Sequence, residues 1–208
     1  MNIIWRTPSL KKGYSLSLTG ILGSTLSFGL LSAAALAADP SFDCAKAEGE
    51  VEKMICKNAE LATLDQQLAE VYKAALEKAP KDELKTLKAF QRGWVKGRND
   101  CWKAQDVNNC VLFSYESRIT ELQIAYGDFV VPEPVNYSCE GGDSITAIFY
   151  KDTQLPAAVL TRIPNQVVAM LNPSASGSKY EGQNVTFWTK GDDAMVTWDS
   201  EGFTCQAQ

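Results

Sequence analysis

The chain has 208 residues, 45% of them hydrophobic and 22% charged, which suits a folded protein of one or two small domains. Twenty basic residues face 25 acidic ones for a net charge of −5, and there is no histidine, which excludes Ser-His-Asp and Cys-His catalysis and the His-containing zinc sites. No C-x2-C pair is present, so a four-cysteine zinc site is not expected, nor is any cofactor.

The beginning reads as a secretory signal. Arg6, Lys11 and Lys12 precede an apolar stretch around Ile21 to Leu31, and Ala35-Leu36-Ala37 places small residues where cleavage requires them. Cleavage after Ala37 is expected, releasing a soluble periplasmic product. The apolar stretch is interrupted by Ser24, Thr25, Ser27, Gly29 and Ser32 and falls short of the ~20 residues that a membrane span needs. No cysteine follows the cut to accept a lipid; the first is Cys44. Residues 1–37 hold three basic and no acidic groups, leaving 17 basic against 25 acidic, or −8. Such a balance argues against nucleic acid or an anionic membrane as partner and for a basic protein. Six cysteines, an even number in an exported chain, imply a disulfide framework.

From Asp43 to Gly127 the apolar period is helical. A short helix is expected over Ala45 to Ile55. Leu61, Leu64, Leu68, Val71, Tyr72 and Ala75 mark a second helix, and Leu84, Leu87, Phe90, Trp94 and Trp102 a third. Pro80 separates these two and Asp82 is the expected cap, which makes residues 58–104 an antiparallel hairpin. Leu112, Tyr115, Ile119, Leu122 and Tyr126 mark a last helix, opened near Asn108 or Asn109. Each stripe is core, because a helical domain of ~90 residues has little other apolar surface to bury. Arg92 and Arg98, beside Glu116 and Glu121, are placed either to form interhelix ion pairs or to form a docking surface, the structural role being the expected one. The first four cysteines allow three connectivities; an antiparallel hairpin, with Cys56 at the start of one helix near Cys101 at the end of the next, favours Cys56–Cys101 with Cys44–Cys110.

The series FDCAKAEGEVEKMIC, LATLDQQLAEVY, QRGWVKGRNDCW, a further cysteine and YESRITEL resembles the LprI-like N-terminal domain of exported bacterial proteins over roughly residues 42–123. The resemblance implies the helical fold and an association with lysozyme inhibition. It carries no mechanism over.

Gly127 to Asn136, with two prolines, reads as a semi-stiff linker. Beyond it the period becomes two: Ile145, Ala147 and Phe149; Ala157, Val159 and Thr161; Val167, Ala169 and Leu171; Val185 and Phe187; Ala194, Val196 and Trp198. Turn residues recur about every ten positions, which predicts a compact antiparallel barrel or sandwich. Cys139 and Cys205 would join its terminal strands. The division is then 1–37 signal, 38–126 helical domain, 127–136 linker and 137–208 β-domain, an α+β chain of two segregated domains.

Within the second domain, SASGSKYEGQNVTFWTKG sets a small-residue loop before Tyr180 and a short apolar run before Lys190-Gly191. A hydroxyl, Ser176, and an ammonium, Lys190, fourteen residues apart, then belong to one hairpin and one rim. Turn chemistry alone accounts for such residues too, since Ser and Gly populate turns and Lys ends strands. The order Tyr-x-Cys (137–139), Ser-Ala-Ser-Gly-x-x-Tyr (174–180), Phe-Trp-x-Lys-Gly (187–191) and a closing cysteine resembles the MliC/PliC family of bacterial inhibitors of c-type lysozyme over about residues 136–206. The resemblance implies a small antiparallel β-barrel that inserts Ser176 and Lys190 into the lysozyme cleft. Gly177, Tyr180 and Trp188 complete the implied lysozyme-binding set, Tyr180 as a packing and loop-shaping residue.

Two other functional classes fit parts of the sequence. Ser176-Gly177-Ser178-Lys179 matches S-x-x-K, an acylating motif, but that motif opens a helix in a large α/β domain and needs S-D-N and K-T-G partners, which are absent. An envelope module that holds a small ligand in the barrel, or a partner on the helices, is the second. A barrel of ~70 residues is filled by its own side chains, which leaves little room for a ligand.

Overall fold

The computed structural model describes residues 39–208; the expected signal segment and its cleavage site lie outside them. Four α-helices come first: α1 (Glu50–Lys57), α2 (Ala59–Lys78), α3 (Leu84–Asn99) and α4 (Val107–Tyr126). Their apolar stripes meet in one core containing Val51, Ile55, Leu61, Leu68, Leu87, Val111, Tyr115, Ile119 and Leu122. Asp65 of α2 bonds Tyr115 of α4, and Asn58 bonds Asn108, so α2 and α4 run side by side in the same direction. Arg98 meets Tyr115 while Gln91 meets Arg118 further down, so α3 runs antiparallel to α4.

The ends of these helices differ from expectation for local reasons. The helix expected over Ala45 to Ile55 is split into a 3-10 turn, Cys44–Lys46, and α1, because Gly49 takes the extended N-cap position and the Glu52 carboxylate turns back to accept from Gly49 N–H. Asp82 does not cap: α3 follows Glu83, which makes no side-chain cap bond. Its far end tightens to a 3-10 turn over Asp100–Lys103, which carries Trp102. Asp106, ahead of the two asparagines, opens α4 by accepting from Asn109 N–H at 2.9 Å.

The cysteine pairing is a correction. The bonds are Cys44–Cys56 and Cys101–Cys110, with Cα separations of 5.9 and 5.7 Å, in place of Cys56–Cys101 and Cys44–Cys110. Each closes a short local loop, across 12 and 9 positions, by folding a 3-10 turn onto the helix beside it. Helix ends can be neighbours while their sulfurs are committed to nearer partners. The expected ion pairs also change hands: Arg98 is buried with Asp65, Arg118 pairs with Glu121, and Arg92 is exposed without an ion pair among the described residues.

The second domain is a closed barrel in simple meander order: β1 (Val135–Cys139), β2 (Ser144–Tyr150), β3 (Ala157–Arg162), β4 (Asn165–Asn172), β5 (Ser178–Gly182), β6 (Val185–Lys190), β7 (Asp193–Trp198) and β8 (Glu201–Ala207). Alternation sends Ile145, Ala147, Val167, Ala169, Leu171, Val185, Phe187, Ala194, Val196 and Trp198 into its core. Strand β3 is one residue out of phase with the expected reading: Ala158 and Leu160 face the core, not Ala157 and Val159. Its run of apolar residues has no period to read, and Ala157 and Val159 are buried as well, on the outer face.

Strand β1 pairs with β8, aligning Cys139 with Cys205, and the two are bonded. This bond spans 66 positions and staples the seam at which the sheet closes. In the chain-entropy account such a loop contributes about 4 kcal/mol, against about 3 for each of the two local bonds. Replacing Cys139 and Cys205 together by serine is expected to cost about 2–5 kcal/mol in urea unfolding; an unchanged midpoint would contradict the stapling role.

Helices and barrel meet at the β2–β3 loop. Thr120 Oγ1 of α4 accepts from Leu155 N–H at 2.9 Å, Gln123 Oε1 accepts from Gln154 N–H at 2.7 Å, and Gln67 of α2 donates to the Gln154 side chain at 2.9 Å. Beside that loop, outward-facing Tyr150, Ala157, Val159 and Met170 are as buried as the barrel core.

Candidate functional site

A meander barrel presents alternate loops at opposite ends. The β2–β3, β4–β5 and β6–β7 loops share one end, together with the start of β1. Ser176 lies in the β4–β5 loop and Lys190 ends β6 at the β6–β7 turn, so both belong to this rim, at the open end of the β5–β6 hairpin. The register pairs Ser178 with Thr189. One step along the same ladder brings Gly177 level with Lys190.

The β4–β5 loop is held rigidly for so short a segment. Trp188 donates its indole N–H to the Ser176 carbonyl at 2.8 Å, and the Ser174 hydroxyl is shared between the carbonyls of Ser176 (3.2 Å) and Gly177 (2.9 Å). Gly177 has φ +69°, and a Cβ there would lie 2.1 Å from the Thr189 carbonyl oxygen. Only glycine permits that backbone and that approach to β6. Gly177→Ala is therefore expected to cost about 2 kcal/mol or more and to shift the loop off Trp188. Urea unfolding and indole fluorescence would read both changes, and a variant as stable as the parent would contradict this account.

What the rim offers outward is small and specific. Ser176 is exposed, its backbone carbonyl bound by Trp188 while its hydroxyl makes no bond among the described residues. Lys190 is exposed too and forms no ion pair among the described residues, although the register sets it opposite Asp193. Gly191, φ +62°, turns the chain immediately after it. Tyr180 is 9% exposed and packs its ring on Phe149, with centroids 5.3 Å apart, and burial pushes its phenol above the ordinary value. It shapes the wall beneath the loop. Trp188 is half-buried and acts through its bond to Ser176.

Lys179, the lysine of the S-x-x-K pattern, is bound to Glu181 on the same strand. That contact, with Asn172 adding a second hydrogen bond, holds the Glu181 carboxyl below the usual range. A charge-paired ammonium is not a base for Ser176. The barrel interior is filled by Tyr137, Ile145, Leu160, Phe187, Val196 and Trp198. At the opposite rim, Arg162 bonds both Asp143 and Glu201 and lies 4.8 Å from the Phe203 ring centroid, so its charge is spent internally.

The bonds from Ser174 and Trp188 and the seating of the β2–β3 loop against α2 and α4 escaped sequence reasoning. A serine two places before Ser176 is the one available signal for the first. Nothing in a sequence announces which backbone carbonyl an indole will find.

Residues 137–203 match the family model described as membrane-bound lysozyme-inhibitor of c-type lysozyme, and residues 44–122 match the one described as lysozyme inhibitor LprI. The lipoprotein LprI of Mycobacterium tuberculosis is 29% identical over 170 residues, covering 81% of this chain and 85% of that protein, and the Mycobacterium bovis protein of the same name gives the same figures. That alignment is longer than either domain, so it spans parts of both. The membrane-bound lysozyme inhibitor of C-type lysozyme from Cupriavidus necator is 34% identical over 62 residues, 30% of this chain and 50% of that one. Among solved structures, the crystal structure of Pseudomonas aeruginosa MliC in complex with hen egg white lysozyme is 30% identical, covering 36% of this chain and 81% of that chain with a TM-score of 0.34. The chain thus carries an LprI-family region over residues 44–122 and an MliC-family region over residues 137–203, both families being described as lysozyme inhibitors.

Proposed function

We propose that the protein is an envelope inhibitor of c-type lysozyme, whose barrel presents Ser176 and Lys190 to the enzyme's active-site cleft and so protects the cell-wall peptidoglycan. The observation that carries this reading is the exposed pair itself: a hydroxyl and an ammonium, both uncommitted among the described residues, on adjacent loops of one rigid rim. Lysozyme works with a protonated glutamic acid and an ionised aspartate flanking the scissile bond. An ammonium pairs with the ionised carboxylate and a hydroxyl hydrogen-bonds the other. Both bonds gain strength as water is excluded, offset in part by the cost of desolvating the lysine. Residues 136–208 hold four basic and eight acidic groups, net −4, which speeds encounter with a cationic enzyme.

The wider division stands on the same footing: signal over 1–37 with cleavage near Ala37, helical domain over 38–126, linker over 127–136, barrel domain over 137–208, and a soluble periplasmic product. All six cysteines are in disulfides, Cys44 included, and no helix among the described residues is long and apolar enough to cross a membrane. The test is inhibition of hen egg white lysozyme by the parent and by the Ser176→Ala, Lys190→Ala double variant. Strong, reversible inhibition that competes with oligosaccharide and is lost in the double variant supports the reading. A double variant that inhibits as well as the parent overturns it and leaves the two loops as turns.

A further inference from the structure

Charge is unevenly divided in this acidic protein. Helix α3, residues 84–99, carries no acidic residue, while Lys85, Lys88, Arg92 and Lys96 fall on it at steps of three, four and four. These steps align the four on one stripe about 16 Å long. All four are exposed, and none forms an ion pair among the described residues. Several acids nearby are engaged elsewhere: Asp100 holds Lys103, Glu121 holds Arg118, Glu52 accepts from Gly49 and Asn99, and Glu83 accepts from Tyr126, while Asp82 stands exposed at the head of the stripe. Gly93, beside the stripe, has open space where a side chain would stand, so the helix surface there is bare.

The stripe also has a direction. Helix α3 turns Leu87, Trp94 and Arg98 toward the bundle, and meets α4 at Ser114, Tyr115 and Arg118. Thr120 and Gln123, which hold the barrel loop, lie on another side of α4. The stripe thus looks outward, away from the barrel. Four like charges on one face suit a partner of opposite sign. With every cysteine in a disulfide, no thiol is left for an acyl chain.

We infer that the outward face of α3 is a docking surface for an anionic phospholipid bilayer, reversible and salt-sensitive, which turns the acidic barrel away from the membrane. A cation near an anionic leaflet is worth about fivefold in partitioning, so the four together outweigh Asp82 at the head of the stripe, and acids held farther off are screened by salt.

The experiment is co-sedimentation of the secreted protein with vesicles of equal phosphatidylglycerol and phosphatidylcholine, beside phosphatidylcholine alone, for the parent and the K85Q/K88Q/R92Q/K96Q variant. The expected result is binding of the parent to the anionic vesicles only, its loss in high salt, and a drop of more than about a hundredfold in the variant. The variant should keep its helical circular dichroism and its inhibition of lysozyme, which separates this proposal from the reading of the rim. No binding by the parent, or equal binding by the variant, overturns it. So does a stripe that matters only for self-association, since the partner would then be the acidic surface of a second copy.

Discussion

Lys190→Ala is expected to weaken lysozyme inhibition by about 30-fold to a few thousandfold, which is the ~2–5 kcal/mol lost when a buried carboxylate is left without its cation. Ser176→Ala is expected to cost less, about 1–2 kcal/mol, because a neutral hydroxyl is replaced. The ordering follows from the surroundings as well as from charge. Lys190 is exposed and has no ion pair in the free protein among the described residues, so binding need not first break an internal bond. Both side chains stand outside the barrel core, and each variant should unfold at the parent's urea concentration. Titration of lysozyme activity against each inhibitor gives the comparison directly. If Ser176→Ala proves the more damaging, the ammonium does not meet a carboxylate, and the charge argument fails while the loop argument survives.

The parts legible in the sequence were those governed by period. Helices α2 and α4 announce themselves through Leu61, Leu64 and Leu68 and through Tyr115, Ile119 and Leu122, all of which reach the core. Barrel strands with clean alternation, β2, β6 and β7, fall in phase. Strand β3 does not, since Ala157 to Leu160 are all apolar and burial on both faces erases the alternation that sets phase. Strand β5, with Tyr180 its one buried residue, has no apolar alternation and is absent from the expected strands. Cysteine pairing failed for a different reason: Cys56 and Cys101 belong to neighbouring elements, yet a bond needs the right Cβ directions as well as nearness, and the 3-10 turns at Cys44 and Cys101 supply closer partners. At the rim, Ser176, Gly177 and Lys190 were legible as a motif. The seat that Trp188 and Ser174 give the loop was not, because a side chain's bond to a backbone carbonyl leaves no pattern in spacing.

The largest loss of stability is expected from Asp65→Ala, about 3–5 kcal/mol, although Asp65 lies far from the rim in sequence and touches no candidate site residue. Its carboxylate is 6% exposed and sits where four elements converge. One oxygen accepts from the Tyr115 hydroxyl at 2.7 Å and the other from Ser41 N–H at 2.6 Å. The Tyr115 hydroxyl in turn accepts from Arg98 at 2.6 Å, and the Arg98 guanidinium lies 3.7 Å from Asp65, with its centre 5.5 Å from the Trp94 and Tyr115 rings. Burial pushes the Tyr115 phenol far above its ordinary value; Arg98 opposes that shift and Asp65 adds to it. The phenol therefore holds its proton and donates it to the carboxylate. Removing Asp65 strands a guanidinium that is 5% exposed, leaves the Tyr115 hydroxyl without an acceptor and frees the Ser41 backbone from α2. Replacing the charges together, as Asp65→Leu with Arg98→Met, should cost less than the sum of the single changes, because no uncompensated charge remains. Urea unfolding of the four proteins forms the cycle. A cost for Asp65→Ala below about 1 kcal/mol, or strict additivity in the double variant, would show that water reaches the pair and that packing of Tyr115 and Trp94, rather than the ion pair, ties α2, α3 and α4 together.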